Sequence, residues 1–330
     1  MQRSGKLSAC ARAENLKRGA KMKIITLTLN PAFDMHCFVS KFRPYHENIA
    51  EIQSLEAGGK GVNISRALTK NGVENLAAIV VGSENCSAFE RQLQADNLTY
   101  KLIKTPGRIR ENITLHSGDG ADETRISFHG FTCDKSVLGR VSESVGKVEK
   151  DTAITLTGSI PDGVSVNDVK ALLENFRSCG KKIVIDSRSF TMADLAEFRP
   201  WLIKPNEDEA SAYLKMQINT PQDGLAAAKK LQSTGIKNVL LSLGGKGAAL
   251  ANENGVFFAS APKIGVVSTI GAGDSMIAGF LSGYVAGKNH EECLRRAVAF
   301  GSAACLRAGT QPPLPEDVAK LEAKITAEKI

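Results

Sequence analysis

Ser268-Thr269-Ile270-Gly271-Ala272-Gly273-Asp274-Ser275-Met276 leads straight into an apolar pattern of helical period. Met276, Ile277, Phe280, Leu281, Tyr284 and Val285 fall on one face, so the spacing predicts a helix over 274–286 with two glycines at its mouth. A helix start presents unpaired N–H groups and a partial positive charge, and glycine lets an anion come close to the backbone. Asp274 taken alone is a cap for its own helix. Behind two residues with small side chains, its carboxylate also reaches whatever anion the loop holds. An anion hole beside a carboxylate base suits transfer of a phosphoryl group to a hydroxyl.

Short β-branched runs bounded by turn residues predict buried strands over 23–29, 76–81, 152–157, 181–185 and 237–243. Helical patterns cover 62–71, 83–95, 166–177, 224–233, 274–286 and 293–306. Strands alternating with helices of this length make crossover units, hence an α/β chain with a mostly parallel central sheet flanked by helices. Two segments break the rhythm. Residues 34–57 and 108–130 carry strand-like alternation (Thr114, Leu115; Arg125, Ile126, Ser127, Phe128) and predict a small antiparallel sheet inserted as a lid.

The 330 residues are 42% hydrophobic and 23% charged, an ordinary globular composition, and no apolar run approaches the roughly 18 residues of a membrane span. Of the net charge of +7, five units sit in residues 1–21, where Arg3, Lys6, Arg12, Lys17, Arg18 and Lys21 face Glu14 alone. The remainder is nearly neutral, which gives no basic surface for a nucleic acid. The leader lacks a secretory apolar core; basic and poor in acids, it also suits an organelle-targeting peptide, but Met22 stands directly before the first strand, so 1–21 reads first as an extension outside the fold. The seven cysteines are scattered with no C-x-x-C pair, which argues against a disulfide framework or a cysteine zinc site and fits a reducing cytoplasm. The five histidines show no metal-ligand spacing.

Neither common nucleotide fingerprint is present. No Gly-Lys pair is followed by Ser or Thr, and Gly271-x-Gly273 continues Asp274-Ser275-Met276. The chain instead carries Thr28-Leu29-Asn30-Pro31-Ala32-x-Asp34, then Gly58-Gly59-Lys60-Gly61-Val62-Asn63, then Gly271-Ala272-Gly273-Asp274. Between them, in order, stand Arg110-x-Asn112, Phe128-His129-Gly130-Phe131, Gly158-Ser159-Ile160-Pro161-x-Gly163, Asp186-Ser187, Lys204-Pro205-Asn206-x-x-Glu209 and Ser242-Leu243-Gly244. Together they resemble the ribokinase superfamily and, within it, the PfkB-type sugar-phosphate kinases. The resemblance covers 22–330 and implies a ribokinase-like fold, ATP and Mg²⁺ as cofactors, and a sugar phosphate as acceptor. Two positions depart from it: Ser268 stands where many ribokinase relatives have Asp, and Tyr45-His46 where close relatives often have glycine.

The resemblance also implies roles. Asp274 becomes the base that takes the acceptor's proton, an exposed carboxylate of ordinary pKa whose own contribution is modest, and Gly271, Ala272 and Gly273 give N–H groups to the transferring phosphoryl. Asp34 falls on sugar hydroxyls, and Gly58, Gly59, Lys60 and Asn63 on the substrate, as a second glycine loop at a helix start. Arg110 and Asn112 on the lid reach the phosphate the substrate already carries, and Ser159 assists. Lys204, Asn206, Ser242, Gly244 and Thr269 contact the nucleotide, while Asn206 and Glu209 hold hydrated Mg²⁺ through water. By spacing alone, Asn206 and Glu209 are equally a capping box.

Fructofuranose nearly superposes on itself when its C1 and C6 ends exchange, so such a pocket suits fructose 1-phosphate, fructose 6-phosphate or tagatose 6-phosphate. The resemblance favours fructose 1-phosphate, with tagatose 6-phosphate next. A non-catalytic sugar-phosphate sensor would need neither Asp274 nor its glycine loop. The strand edges of the lid lead us to expect a homodimer through it, and no nucleic-acid or membrane partner.

Overall fold

A strand that is apolar on both faces needs cover on both, and in Ile24–Thr28 (β1), Leu76–Gly82 (β4) and Ala153–Thr157 (β8) every residue is buried. The computed structural model describes residues 23–118, 123–146 and 148–330; the basic leader 1–21 lies outside them. Between β1 and β4 come β2 (Ala32–Val39), β3 (Glu51–Gly58) and helix α1 (Lys60–Lys70). Next, before β8, follow α2 (Cys86–Ala95), β5 (Tyr100–Thr105), β6 (Arg110–Ser117), β7 (Thr124–Ile126) and α3 (Val137–Val145). After β8 come α4 (Val166–Ser178), β9 (Lys182–Asp186), α5 (Met192–Phe198), β10 (Leu202–Ile203), α6 (Glu207–Leu214), α7 (Pro221–Gln232) and β11 (Asn238–Ser242). The chain closes with β12 (Ala248–Asn252), β13 (Gly255–Ala259), α8 (Ala272–Val285), α9 (His290–Ala304), α10 (Pro315–Glu322) and β14 (Ala327–Lys329).

Ten strands form the large sheet in the order β14-β13-β12-β11-β10-β9-β8-β1-β4-β5. From β11 to β5 every pairing is parallel, and β12, β13 and β14 add an antiparallel meander at one edge. Alternate residues feed cores on opposite faces: Ile25, Leu27, Ile154 and Leu156 join one with Phe176 and Leu231, while Ile24 and Ala153 join another with Ile277 and Phe300. Among the described residues no helix is long and apolar enough to cross a membrane.

The small sheet is separate, in the order β3-β2-β6-β7. Its β2·β3 and β6·β7 pairings are antiparallel, but the central β2·β6 pair is parallel. The reason lies in the route of the chain. β2 leaves the body directly after β1, and β6 leaves it directly after the parallel neighbour β5, so both set out in the same direction. Parallel register then sets Asp34 beside Asn112, and Ala32 beside Arg110.

Candidate active site

Parallel strands place their carboxyl ends on one edge, and ligands of such sheets bind there. β1 hands the chain to Asn30 and Asp34, β8 to Gly158 and Ser159, and β10 to Lys204 and Asn206, while β9 and β11 end on Asp186 and Ser242. The N-terminal turns of α1 and α8 meet at the same edge, since Asn63 Nδ2 donates to Asp274 Oδ2 at 2.9 Å.

Two cavities open here. One, of about 590 Å³, is lined by polar residues that include Asp34, Lys60, Asn63, Arg110 and Asp274. The other, of about 400 Å³, has apolar walls from Ile264, Val266, Met276 and Val298 and polar ones at Ser242 and Gly244. Lys204, Asn206, Thr269 and Gly273 line both, so the two spaces meet beside Asp274. Each site residue expected from the sequence lines one cavity or both, with the sole exception of Gly58.

Gly58 acts from behind the wall. A Cβ there would lie 2.1 Å from Asp34 Oδ2, so only glycine leaves that carboxylate its place. Asp34 Oδ1 in turn accepts a 3.1 Å hydrogen bond from Asn112 Nδ2 across the lid strands. Gly271 takes a left-handed conformation, φ +77°, as the residue before α8. The Ala272 N–H is bonded to the Thr269 carbonyl at 3.3 Å. Among the described residues that leaves Gly271 and Gly273 as the loop amides open to a ligand, rather than all three.

Asp274 is not the exposed group the sequence suggested. Only 6% of it is accessible, and burial pushes its carboxyl up to about 6, with Lys60, the Asn63 hydrogen bond and Lys204 restraining the rise and Asp186 adding to it. Its neighbours form a tight charge cluster. Lys60 Nζ pairs with Asp186 Oδ2 at 2.9 Å. Burial pulls the Lys60 ammonium down, but Asp186 and Asp274 outweigh it and hold the group above its ordinary value. Burial would likewise raise Asp186, yet Lys204, Lys60 and Arg188 keep that carboxyl below the usual range.

Arg110 lines the polar cavity, but much of its guanidinium is already engaged, with donors on the carbonyls of Pro31, Phe128 and Asn30 at 3.4, 3.2 and 3.3 Å. Burial lowers its pKa. Ser159 Oγ accepts from Asn30 Nδ2 at 3.0 Å. Asn206 and Glu209 form the capping box of α6: Asn206 Oδ1 accepts from Glu209 N at 2.8 Å, and Glu209 Oε2 from Asn206 N at 3.2 Å. Among the described residues no group of three or more His, Cys, Asp or Glu could cage a metal. The capped oxygens keep spare lone pairs, which fits a cation that retains its waters better than direct ligation.

Sequence reasoning gave no site role to several wall residues: Asp186, which ends β9, Arg188 just beyond it, Arg125 and Ser127 on the lid, and Thr310. Asp186 had a signal, since a charged residue ending an otherwise apolar parallel strand lies on the ligand edge. Thr310 had none.

A buried carboxylate and a glycine-started helix, set where a nucleotide-sized cavity opens onto a polar one, define a phosphotransferase of the α/β class. The pattern of the pfkB family carbohydrate kinases matches residues 31–317, and the chain belongs to that family and is a kinase. The 1-phosphofructokinase of Haemophilus influenzae is 31% identical over 281 residues, covering 84% of this chain and 90% of that one. For the Bacillus subtilis 1-phosphofructokinase the values are 31% over 280 residues, 85% and 91%. The crystal structure of phosphofructokinase-2 from Escherichia coli in complex with fructose-6-phosphate superposes with a TM-score of 0.84 at 26% identity, covering 92% of this chain and 99% of that one. The ribokinase-like α/β architecture expected from the sequence is the one observed.

Proposed function

We propose that the protein transfers the γ-phosphoryl group of ATP to the 6-hydroxyl of D-fructose 1-phosphate, giving fructose 1,6-bisphosphate and ADP. The observation that carries this reading is the junction of the two cavities at Lys204 and Gly273, beside the buried Asp274. The similarity to enzymes named 1-phosphofructokinase supports the choice of acceptor.

In this reading the nucleotide base lies against Ile264, Val266 and Val298, with its phosphates toward Ser242, Gly244, Thr269 and Lys204. The sugar sits on Asp34, Gly59, Lys60, Asn63 and Asn112, with Arg110 and Ser159 toward its resident phosphate. As the 6-hydroxyl oxygen attacks, Asp274 accepts its proton; a pKa near 6 leaves the group ionised at neutral pH yet a better base than an ordinary aspartate. The Gly271 and Gly273 amides donate to the phosphoryl oxygens. Asn206 and Glu209 would hold hydrated Mg²⁺, which shields the phosphate charge when bound.

Fructose 6-phosphate or tagatose 6-phosphate is the second reading, favoured by the likeness to phosphofructokinase-2 with fructose-6-phosphate. Coupled assays of ADP release on the three sugar phosphates decide: the highest kcat/KM is expected on fructose 1-phosphate, and an equal or higher value on either competitor transfers the assignment. The lid also presents Tyr45, Ile49, Ile52, Leu55 and Phe128 to solvent, a patch that supports a homodimer through the small sheet. Sedimentation should give a dimer that Ile52→Glu weakens. A monomer at micromolar concentration contradicts it. Free cysteines among the described residues suit action in a reducing cytoplasm.

A further inference from the structure

We propose that Arg188 is a further catalytic residue, which donates hydrogen bonds to the phosphoryl group in flight. The inference deepens the kinase reading above and rests on it. Among the described residues, five cations line the polar cavity: Lys60, Arg110, Arg125, Arg188 and Lys204. Arg110 and Arg125 stand on the small sheet, at β6 and β7. Lys60, Lys204 and Arg188 line the same cavity from the body of the fold, with Asp186, Glu209 and Asp274. Three cations against three carboxylates leave this part of the wall neutral. Without Arg188 two cations would face three carboxylates there.

The three cations are not equally free. Lys60 is committed to Asp186 at 2.9 Å, and Lys204 is packed against α8, where a Cβ on Gly273 would lie 3.0 Å from its Nζ. Arg188 is tethered through Nε alone, to Glu209 Oε1 at 3.1 Å, and its side chain is 80% exposed. Among the described residues its terminal nitrogens have no partner. Glu209 is itself pinned by its cap bond to Asn206, a residue shared by both cavities, so the tether keeps the guanidinium beside the place where nucleotide and acceptor would meet. A transferring phosphoryl spreads its charge over three equatorial oxygens and calls for forked donors not already spent.

In the step, the 6-hydroxyl oxygen forms its bond to the γ-phosphorus while the bond from that phosphorus to the bridging oxygen of ADP breaks. The hydroxyl proton passes to Asp274, and ADP leaves with the electron pair. Arg188 keeps its protons and donates hydrogen bonds to the equatorial oxygens.

The test compares wild type, Arg188→Ala and Arg188→Lys by steady-state kinetics, and by binding of ADP with and without aluminium fluoride, which mimics the planar phosphoryl, in the presence of Mg²⁺ and sugar phosphate. The alanine variant should lose kcat about 100-fold or more, with KM for both substrates within about threefold, and lysine should recover about tenfold. Aluminium fluoride should tighten ADP binding in wild type and no longer do so in Arg188→Ala, while ADP alone binds both alike. A wild-type kcat in Arg188→Ala, or a loss confined to KM or to thermal stability, overturns the proposal. Failure of the underlying kinase reading looks different, because wild type itself would then form no bisphosphate from any of the three sugar phosphates.

Discussion

Replacing Asp274 by asparagine should disable the protein and stabilise it at once. The carboxyl is buried, with a pKa of about 6 in the fold against 3.8 in an ordinary setting. The folded state therefore binds this proton more tightly than the unfolded chain. Below about pH 4 both states are protonated and nothing is lost. As the pH rises through 4 to 6 the unfolded chain ionises first and stability falls, and above 6 the full cost of the buried charge stands, about 3 kcal/mol. Asparagine is nearly isosteric, uncharged, and keeps a carbonyl oxygen for the 2.9 Å bond from Asn63. Unfolding entropy for 330 residues is about 0.7 kcal/mol/K, so Asp274→Asn should melt about 4 °C higher than wild type at pH 8. The gap should shrink to roughly half by pH 5. In the coupled ADP assay the same variant should lose kcat by at least about 10², with substrate binding retained. Turnover near wild type would refute the base assignment, and a melting difference that does not change between pH 8 and pH 5 would refute the buried-charge argument.

Wild-type kcat should rise with pH through about 6 and then level off, because the base must be ionised; a flat profile from pH 5 to 8 would count against Asp274. Asn63→Ala removes a hydrogen bond that holds this carboxyl down, so the inflection should move to higher pH, and an unmoved inflection would show that the contact does not tune the group. Gly58→Ala drives a methyl into Asp34, 2.1 Å from its Oδ2, and should raise KM for the sugar phosphate about tenfold or more while leaving nucleotide affinity unchanged. Asn206→Ala strips the cap of α6 and should cost about 1 kcal/mol in denaturant unfolding, together with a higher KM for ATP and Mg²⁺; loss of stability without the KM change would leave it a cap alone.

Much of the fold was legible because its signals are local. Strands expected over 23–29, 152–157 and 237–243 appear as Ile24–Thr28, Ala153–Thr157 and Asn238–Ser242, their apolar runs bounded by turns. Some helices began earlier than their apolar patterns, for a definite reason. The helix expected over 293–306 starts at His290, because Asn289 caps it and Glu292 answers in a polar first turn that hydrophobic periodicity does not see. Thr220 and Asp223 do the same for Pro221–Gln232. The edge strands β12 and β14 carried no comparable signal, since β12 is mostly alanine and β14 is three residues long.

At the site, glycine loops and helix starts marked where anions can approach, and the residues they flagged do gather around two adjoining cavities. What the sequence withheld was tertiary. An aspartate behind small residues looks exposed, but in the fold it is buried and Asn63 of α1 meets its carboxylate across the chain. Arg110 looked like a free phosphate fork, but three backbone carbonyls claim its donors.

The central claim is that phosphoryl transfer happens at the mouth of α8. A crystal structure of the protein with fructose 1-phosphate and an ATP analogue whose β–γ bridge does not break tests it directly. The γ-phosphorus should sit on the Gly271 and Gly273 amides, with the sugar's 6-oxygen within hydrogen-bond reach of Asp274. A nucleotide whose terminal phosphate lies away from that loop, or a sugar that turns its phosphorylated end toward Asp274, would contradict the account.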